Sequence, residues 1–298
     1  LVLFGAGSVA YDNFFSFSTF FNLFNDNAYL MIASIGVTFV LLTGGIDISI
    51  ASTIAFTCVF SAFLLRLGWT PLIVIPLVLL IGLAFGALMG YMIHYFKLQP
   101  FIVTLAGQFF MRGMCAVIST ESIPISDEFY KTMALTKVTL LGGRIYFYVF
   151  IAIVVLLVSL FVLKFTRFGR TVYAVGGNEK ATKLSGINTK KVYFFAYANM
   201  GFLAALAGVL TIARMASAQP TYGDGYEMDA IGACFIGGAS AYGGGGTVPG
   251  VIVGAVLMGV INLGMSVMGI DQNFQKVVKG GVLLAAVVFD VLSKREDS

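Results

Sequence analysis

The sequence is short of charge. Asp, Glu, Lys and Arg make up only 11% of its 298 residues, and 59% are hydrophobic. A soluble domain carries about 25% charged residues, so a water-exposed globule is excluded. Histidine is nearly absent: His94 stands alone at the end of an apolar run, beside Tyr95. The three cysteines, Cys58, Cys115 and Cys234, sit inside apolar runs with no paired spacing. That excludes a Cys/His zinc site and a disulfide framework, and the cysteines read as small buried hydrophobes. No Gly-x-x-x-x-Gly-Lys-Ser/Thr stretch occurs, which excludes the usual ATP-binding loop. Paired catalytic carboxylates and nucleophile motifs are missing too, which argues against an enzyme. The net charge of +4 lies in the loops between apolar runs, so it does not form a nucleic-acid surface.

What is present is hydrocarbon in long runs. Runs near 18–20 apolar residues recur along the chain, each able to cross a hydrocarbon core ~30 Å thick. The fold class is all-α: a polytopic membrane protein of about ten transmembrane segments, expected as one domain over 1–298. The chain opens at Leu1 in what reads as the tail of a first span with its lead-in missing, residues 1–10. Residues 11–27 are aromatic and polar and suit a membrane surface. Further spans are expected over 28–43, 50–65, 72–95, 101–118, 145–163, 192–213, 248–268 and 274–292, with a half-length segment over 229–241. In the 72–95 span, Gly82, Gly86 and Gly90 form a small-xxx-small row suited to close helix packing.

Residues 164–191 form the one long polar island in the second half. It holds Lys164, Arg167, Arg170, Lys180, Lys183, Lys190 and Lys191 against a single acid, Glu179. Lys and Arg near span ends are retained in the cytoplasm. The island, Lys97 and Lys294-Arg295 then fall inside and the mixed-charge 119–144 loop outside, with both termini cytoplasmic. Within the island, 179–184 is a plausible short helix with Asn178 as N-cap and Gly186 as its stop. It is either a solvated basic loop or a docking element for a soluble partner.

Two short segments end at glycine clusters: Gly44-Gly45 before Asp47, and Gly243 to Gly246 after Asp229. Irregular backbone at membrane depth must face protein or a watery path. The glycines therefore mark either a translocation path or tight helix packing. Acids and arginines inside apolar runs are functional candidates because their burial is costly. Asp47 either caps the next helix or lines a path, and Asp229 has the same capping option. Arg112 lies inside the 101–118 span. Candidates for the path are Gly44, Gly45, Asp47, Arg112, Asp229, Gly244 and Gly245.

Gly44-Gly45-Ile46-Asp47-Ile48-Ser49 resembles the TGGIDLS motif of monosaccharide ABC-importer permeases of the ribose, xylose and galactose type. Arg167 to Arg170, Tyr173 to Glu179, Ala181 and Ser185 to Ile187 resemble that family's cytoplasmic coupling loop. Asp229 to Ile231, Ile236 to Gly238 and Gly244 to Thr247 resemble its Gly-rich C-terminal motif. The resemblance runs in order along essentially the whole chain. Thr104 to Gly107, Phe109-Phe110, Arg112-Gly113 and Glu121 to Ile125 look most like the galactofuranose branch.

The resemblance implies an inner-membrane, multi-pass permease subunit. It implies partners as well: an ATP-binding-cassette ATPase, a paralogous or identical second permease, an extracytoplasmic sugar-binding protein and membrane lipid. The chain itself needs no cofactor, since ATP and Mg are held by the ATPase. Gly177, Asn178, Glu179, Ala181, Ser185 and Gly186 are the implied coupling residues. Read from residues alone, the Gly-interrupted helices and buried acids also admit an ion-coupled secondary carrier.

Overall fold

Helix starts and stops follow local chemistry. Proline opens two helices, where its missing N–H costs nothing: α3 (Pro71–Tyr95) and α4 (Pro100–Ile118) begin after extended Thr70 and Gln99. Side-chain caps open others. Asp127 accepts from the Phe129 N–H at 2.9 Å before α5 (Glu128–Leu135). The Thr166 hydroxyl accepts from the Gly169 N–H before α7 (Arg167–Gly177), and Thr247 does the same for Gly250 before α11 (Val248–Val267). The remaining helices are α1 (Phe17–Leu42), α2 (Ile50–Arg66), α6 (Phe147–Phe165), α8 (Glu179–Leu184), α9 (Thr189–Met215), α10 (Tyr226–Ile236) and α12 (Gln272–Glu296). The computed structural model describes residues 17–140 and 143–296.

Six of these helices are long and apolar enough to cross a membrane: α1, α3, α4, α6, α9 and α11. The 17-residue α2 is apolar but shorter. Burial sorts them. In the most apolar window of α1, 89% of residues are buried, against 28% in α4 and α6, so α1 is central and the latter two are peripheral. Helix α9 is the other centre. It runs along α3 and packs on α1 and α2, while α10 nests between α1, α11 and α12. The α3–α9 seam is the one the glycine row predicts. A methyl group on Gly86 would overlap the Tyr197 carbonyl, and one on Gly82 would sit 2.5 Å from Ala205 Cβ.

Among the described residues four short strands accompany the helices: β1 (Ile123–Pro124) pairs antiparallel with β4 (Ser217–Ala218), and β2 (Lys137–Leu140) with β3 (Gly143–Tyr146). The expected 119–144 loop is therefore ordered as α5, a strand pair and a hairpin.

Two expectations are corrected. The 28–43 segment is not short: α1 starts at Phe17 and is about 39 Å long at 1.5 Å per residue. Its first turns read as an interfacial loop because they are aromatic and polar. Asn25 is nevertheless buried, donating to the Arg144 carbonyl at 2.7 Å and accepting from the Tyr146 N–H at 3.1 Å. The second short segment is short as expected, with 11 residues in α10, but it begins at Tyr226 rather than 229. The proposed first span over 1–10 lies outside the described residues.

Candidate functional site: the glycine junction and the polar helices

Three glycine-bearing segments meet at the end of the bundle that also carries the Lys97 turn and the 164–191 island. The loop after α1 turns at Gly44, whose φ is +80°. The loop before α11 turns at Gly243 and Gly244, φ +86° and +71°, in the left-handed region that glycine occupies without strain. The Gly244 N–H donates to the Leu42 carbonyl at 3.0 Å and so joins the two loops directly. The third segment is the end of α7. A methyl on Gly176 would overlap the Leu42 carbonyl and the Gly244 nitrogen, and one on Gly244 would lie 2.8 Å from the Gly177 nitrogen. Backbone meets backbone here with no room for a Cβ.

Tyrosines reinforce the junction. Tyr173 on α7 donates its hydroxyl to the Gly246 carbonyl at 2.8 Å. Partial burial raises its phenol above the ordinary value, so the donor keeps its proton at neutral pH. Tyr193 on α9 donates to the Thr43 carbonyl at 3.3 Å, and Tyr197 to the Ile46 carbonyl at 3.4 Å. Asp290 of α12 accepts from the Ala241 N–H at 3.3 Å.

The helix over 179–184 forms as the sequence predicts. The Asn178 side chain accepts from the Ala181 N–H at 2.9 Å. Gly186, at φ +82°, ends the helix while its N–H bonds the Lys183 carbonyl and that of Ile187 bonds the Thr182 carbonyl. Buried Thr182 ties α8 back to α7, donating to the Ala174 carbonyl at 2.7 Å. The polar island is thus two clasped helices rather than a loose loop.

The faces of α8 differ. Ala181, Leu184 and Ser185 point outward, and Leu184 is 88% exposed in an otherwise polar helix. Sequence reasoning missed Leu184; an apolar residue in a charged hexamer was the available signal. Glu179 is turned the other way: its carboxylate lies 4.0 Å from His94 Nδ1 and 3.5 Å from the Tyr193 hydroxyl. Gly177 has open space around it.

The path candidates divide. Gly44 and Gly244 meet at the junction. Gly45 packs against Tyr197, and Gly245 packs against Ser240. Asp47 is buried but does not cap α2. The N-cap is Ser49, whose N–H and hydroxyl donate to Asp47 Oδ1 at 2.8 and 2.6 Å. Asp229 is no cap either: Gly225 starts α10, and Asp229 pairs with Lys279 of α12 at 2.8 Å. Arg112 holds the 220–224 segment near the opposite end, donating to the Pro220 and Tyr222 carbonyls and pairing with Asp224 at 2.7 Å. Arg112 and Asp229 therefore do not join the junction.

Known proteins place these features in context. The family model described as "Branched-chain amino acid transport system / permease component" matches residues 19–287. The chain is 37% identical to the Ribose import permease protein RbsC of Escherichia coli strain K12 over 292 residues, covering 97% of this chain and 91% of that protein. It is 40% identical to the Inner membrane ABC transporter permease protein YjfF of the same strain over 265 residues, 88% and 80% of the two chains. The Fructose import permease protein FruG of Bifidobacterium longum is 35% identical over 274 residues, 90% and 81%. No solved structure matches the chain.

Proposed function

The chain belongs to the permease family just described, and from that premise we propose that it is the transmembrane permease subunit of an ATP-binding-cassette sugar importer. Partner ATPases drive it, and it moves a monosaccharide across the inner membrane by alternating access. The observation that carries this reading is the clasped α7–α8 pair. It offers Ala181, Leu184 and Ser185 outward and sits, through Gly176, on both glycine turns. A push on α8 reaches the ends of α1 and α11 through backbone contacts, as a rigid-body step. The basic end faces the cytoplasm, in keeping with its lysines and arginines. An extracytoplasmic binding protein delivers the sugar at the hairpin end, and a second permease completes the pore. Among sugars we favour galactofuranose or a close relative, from the 104–125 motifs.

The test uses vesicles holding the permease, its ATPase and its binding protein. Leu184→Asp and Gly186→Leu are expected to weaken ATPase association and cut uptake at least tenfold. Normal uptake in both variants would refute the coupling assignment. An ion-coupled carrier predicts uptake by this chain alone on an ion gradient without ATP. Its requirement for a carboxylate that cycles its proton fits poorly with Asp229 on Lys279 and Asp47 on Ser49.

A further inference from the structure

Beside α8, on the side away from Leu184, the bundle opens into a cavity of about 690 Å³. Lys97, Lys180, Lys183 and Lys190 line it together with His94, and among the described residues Glu179 is the only acid in the lining. The charge is uneven, four ammonium groups to one carboxylate, with no ion pair within 4.0 Å for any of these lysines among the described residues. Lys97 stands at φ +53°, a left-handed conformation that a lysine adopts at a cost of about 1–2 kcal/mol. A second, nearly apolar cleft of about 190 Å³ adjoins the first and shares His94, Tyr95 and Lys190 with it. Its floor is Gly90 and its walls include Tyr91 and Phe194, both partly exposed on the flanks of α3 and α9.

A basic chamber joined to an apolar slot, at the end of membrane helices, fits an amphipathic anion. We propose that this is a binding site for one anionic phospholipid, with the headgroup phosphate among the four lysines and an acyl chain against Tyr91, Tyr95 and Phe194. Basic pockets between transmembrane helices at the membrane surface bind anionic headgroups in this manner. The apolar slot argues for a lipid over a free anion, which would leave it unfilled. The helix wheel argues against the ATPase as occupant. At 100° per residue, Glu179 and Lys183 share the cavity side of α8 and Ala181 and Ser185 the opposite side, with Lys180 and Leu184 between them. Because Glu179 and Lys183 belong to α8, lipid occupancy would brace the same element that faces the partner.

The experiment uses the full chain purified in neutral detergent and titrated with fluorescent phosphatidylglycerol. Phosphatidylcholine of the same chains and inorganic phosphate serve as competitors. Phosphatidylglycerol is expected to bind at least tenfold more tightly than phosphatidylcholine. The triple variant Lys97→Gln, Lys183→Gln, Lys190→Gln is expected to abolish that preference, and the matching triple arginine variant to retain it. Lys131→Gln with Lys137→Gln, at the far end, is expected to leave the preference intact and so controls for general loss of charge. Equal affinity for the two lipids, or a preference surviving in the glutamine variant, overturns the site. Displacement by inorganic phosphate at matched concentration overturns the lipid in favour of a free anion. Expulsion of the lipid by saturating ATPase overturns it in favour of the partner. None of these readouts depends on sugar transport, so the site and the proposed function stand or fall separately.

Discussion

The two ends of the bundle are held together by different physics. At the hairpin end, contacts run through long polar side chains. Arg112 bonds the 220–224 segment, Arg214 pairs with Asp26, Asn25 grips the β3 strand, and Asp229 meets Lys279 deeper in the same half. Four of the five ion pairs among the described residues lie there. At the basic end, contact is made by glycine backbones and by tyrosine hydroxyls on carbonyls. The end with most of the lysines spends almost none of them internally, which leaves those charges for molecules outside the chain. The end with fewer charges uses them as latches. Close backbone packing and the tyrosine hydrogen bonds tie the joined segments to one another, so they can shift together.

Each contrast can be broken. The largest effect is expected at Asp229–Lys279, where the carboxylate is 5% exposed. Lys279→Met leaves a buried charge uncompensated and should cost about 3–5 kcal/mol in stability. Adding Asp229→Asn should recover much of the loss, and thermal unfolding in detergent reads both. A single variant of unchanged stability would mean that the ion pair contributes nothing to the fold.

Next comes the junction. Gly176→Ala forces a Cβ onto the Leu42 carbonyl and the Gly244 nitrogen and should cost about 1–3 kcal/mol. Gly177→Ala, one residue on and in open space, should stay within about 0.5 kcal/mol. Equal melting temperatures for the two would remove the argument for a tight junction.

The smallest effect is expected at Arg112–Asp224, where Asp224 is 57% exposed. Asp224→Ala should cost about 1 kcal/mol or less and fade as salt is raised. Arg112→Ala should cost more and respond less to salt, since it also loses two carbonyl bonds. Comparing melting curves at low and high salt separates the two.

What the sequence showed was local. The Asn178 cap and the Gly186 stop are written within nine residues, and the glycine row on α3 repeats at every fourth residue. Both appear in the structure as read. The meeting of Gly44, Gly176 and Gly244 could be suspected only in part, because both breaks end in glycines while Gly176 stood out only as part of the coupling-loop resemblance. The partners of Asp229 and Asn25 lie 50 and 119 residues away, and no spacing rule announces such pairs. The capping readings of Asp47 and Asp229 failed for a related reason. Asp47 does find local donors, but on Ser49 ahead of the helix, and Asp229 is taken by Lys279, 50 residues away. The polar start of α1 was misplaced because Asn25 serves a tertiary contact, so its polarity signalled burial rather than surface.

The central claim is that α7–α8 and the glycine turns move as one body. Spin labels on Arg170→Cys in α7, Tyr242→Cys in the glycine loop and Val138→Cys in the hairpin test it directly; all three positions are exposed and the native cysteines are buried. In the assembled transporter, pulsed electron spin resonance measures the distances with and without ATP. The account predicts an unchanged 170–242 distance while the 170–138 distance shifts by several ångströms. A 170–242 distance that changes with nucleotide would contradict it.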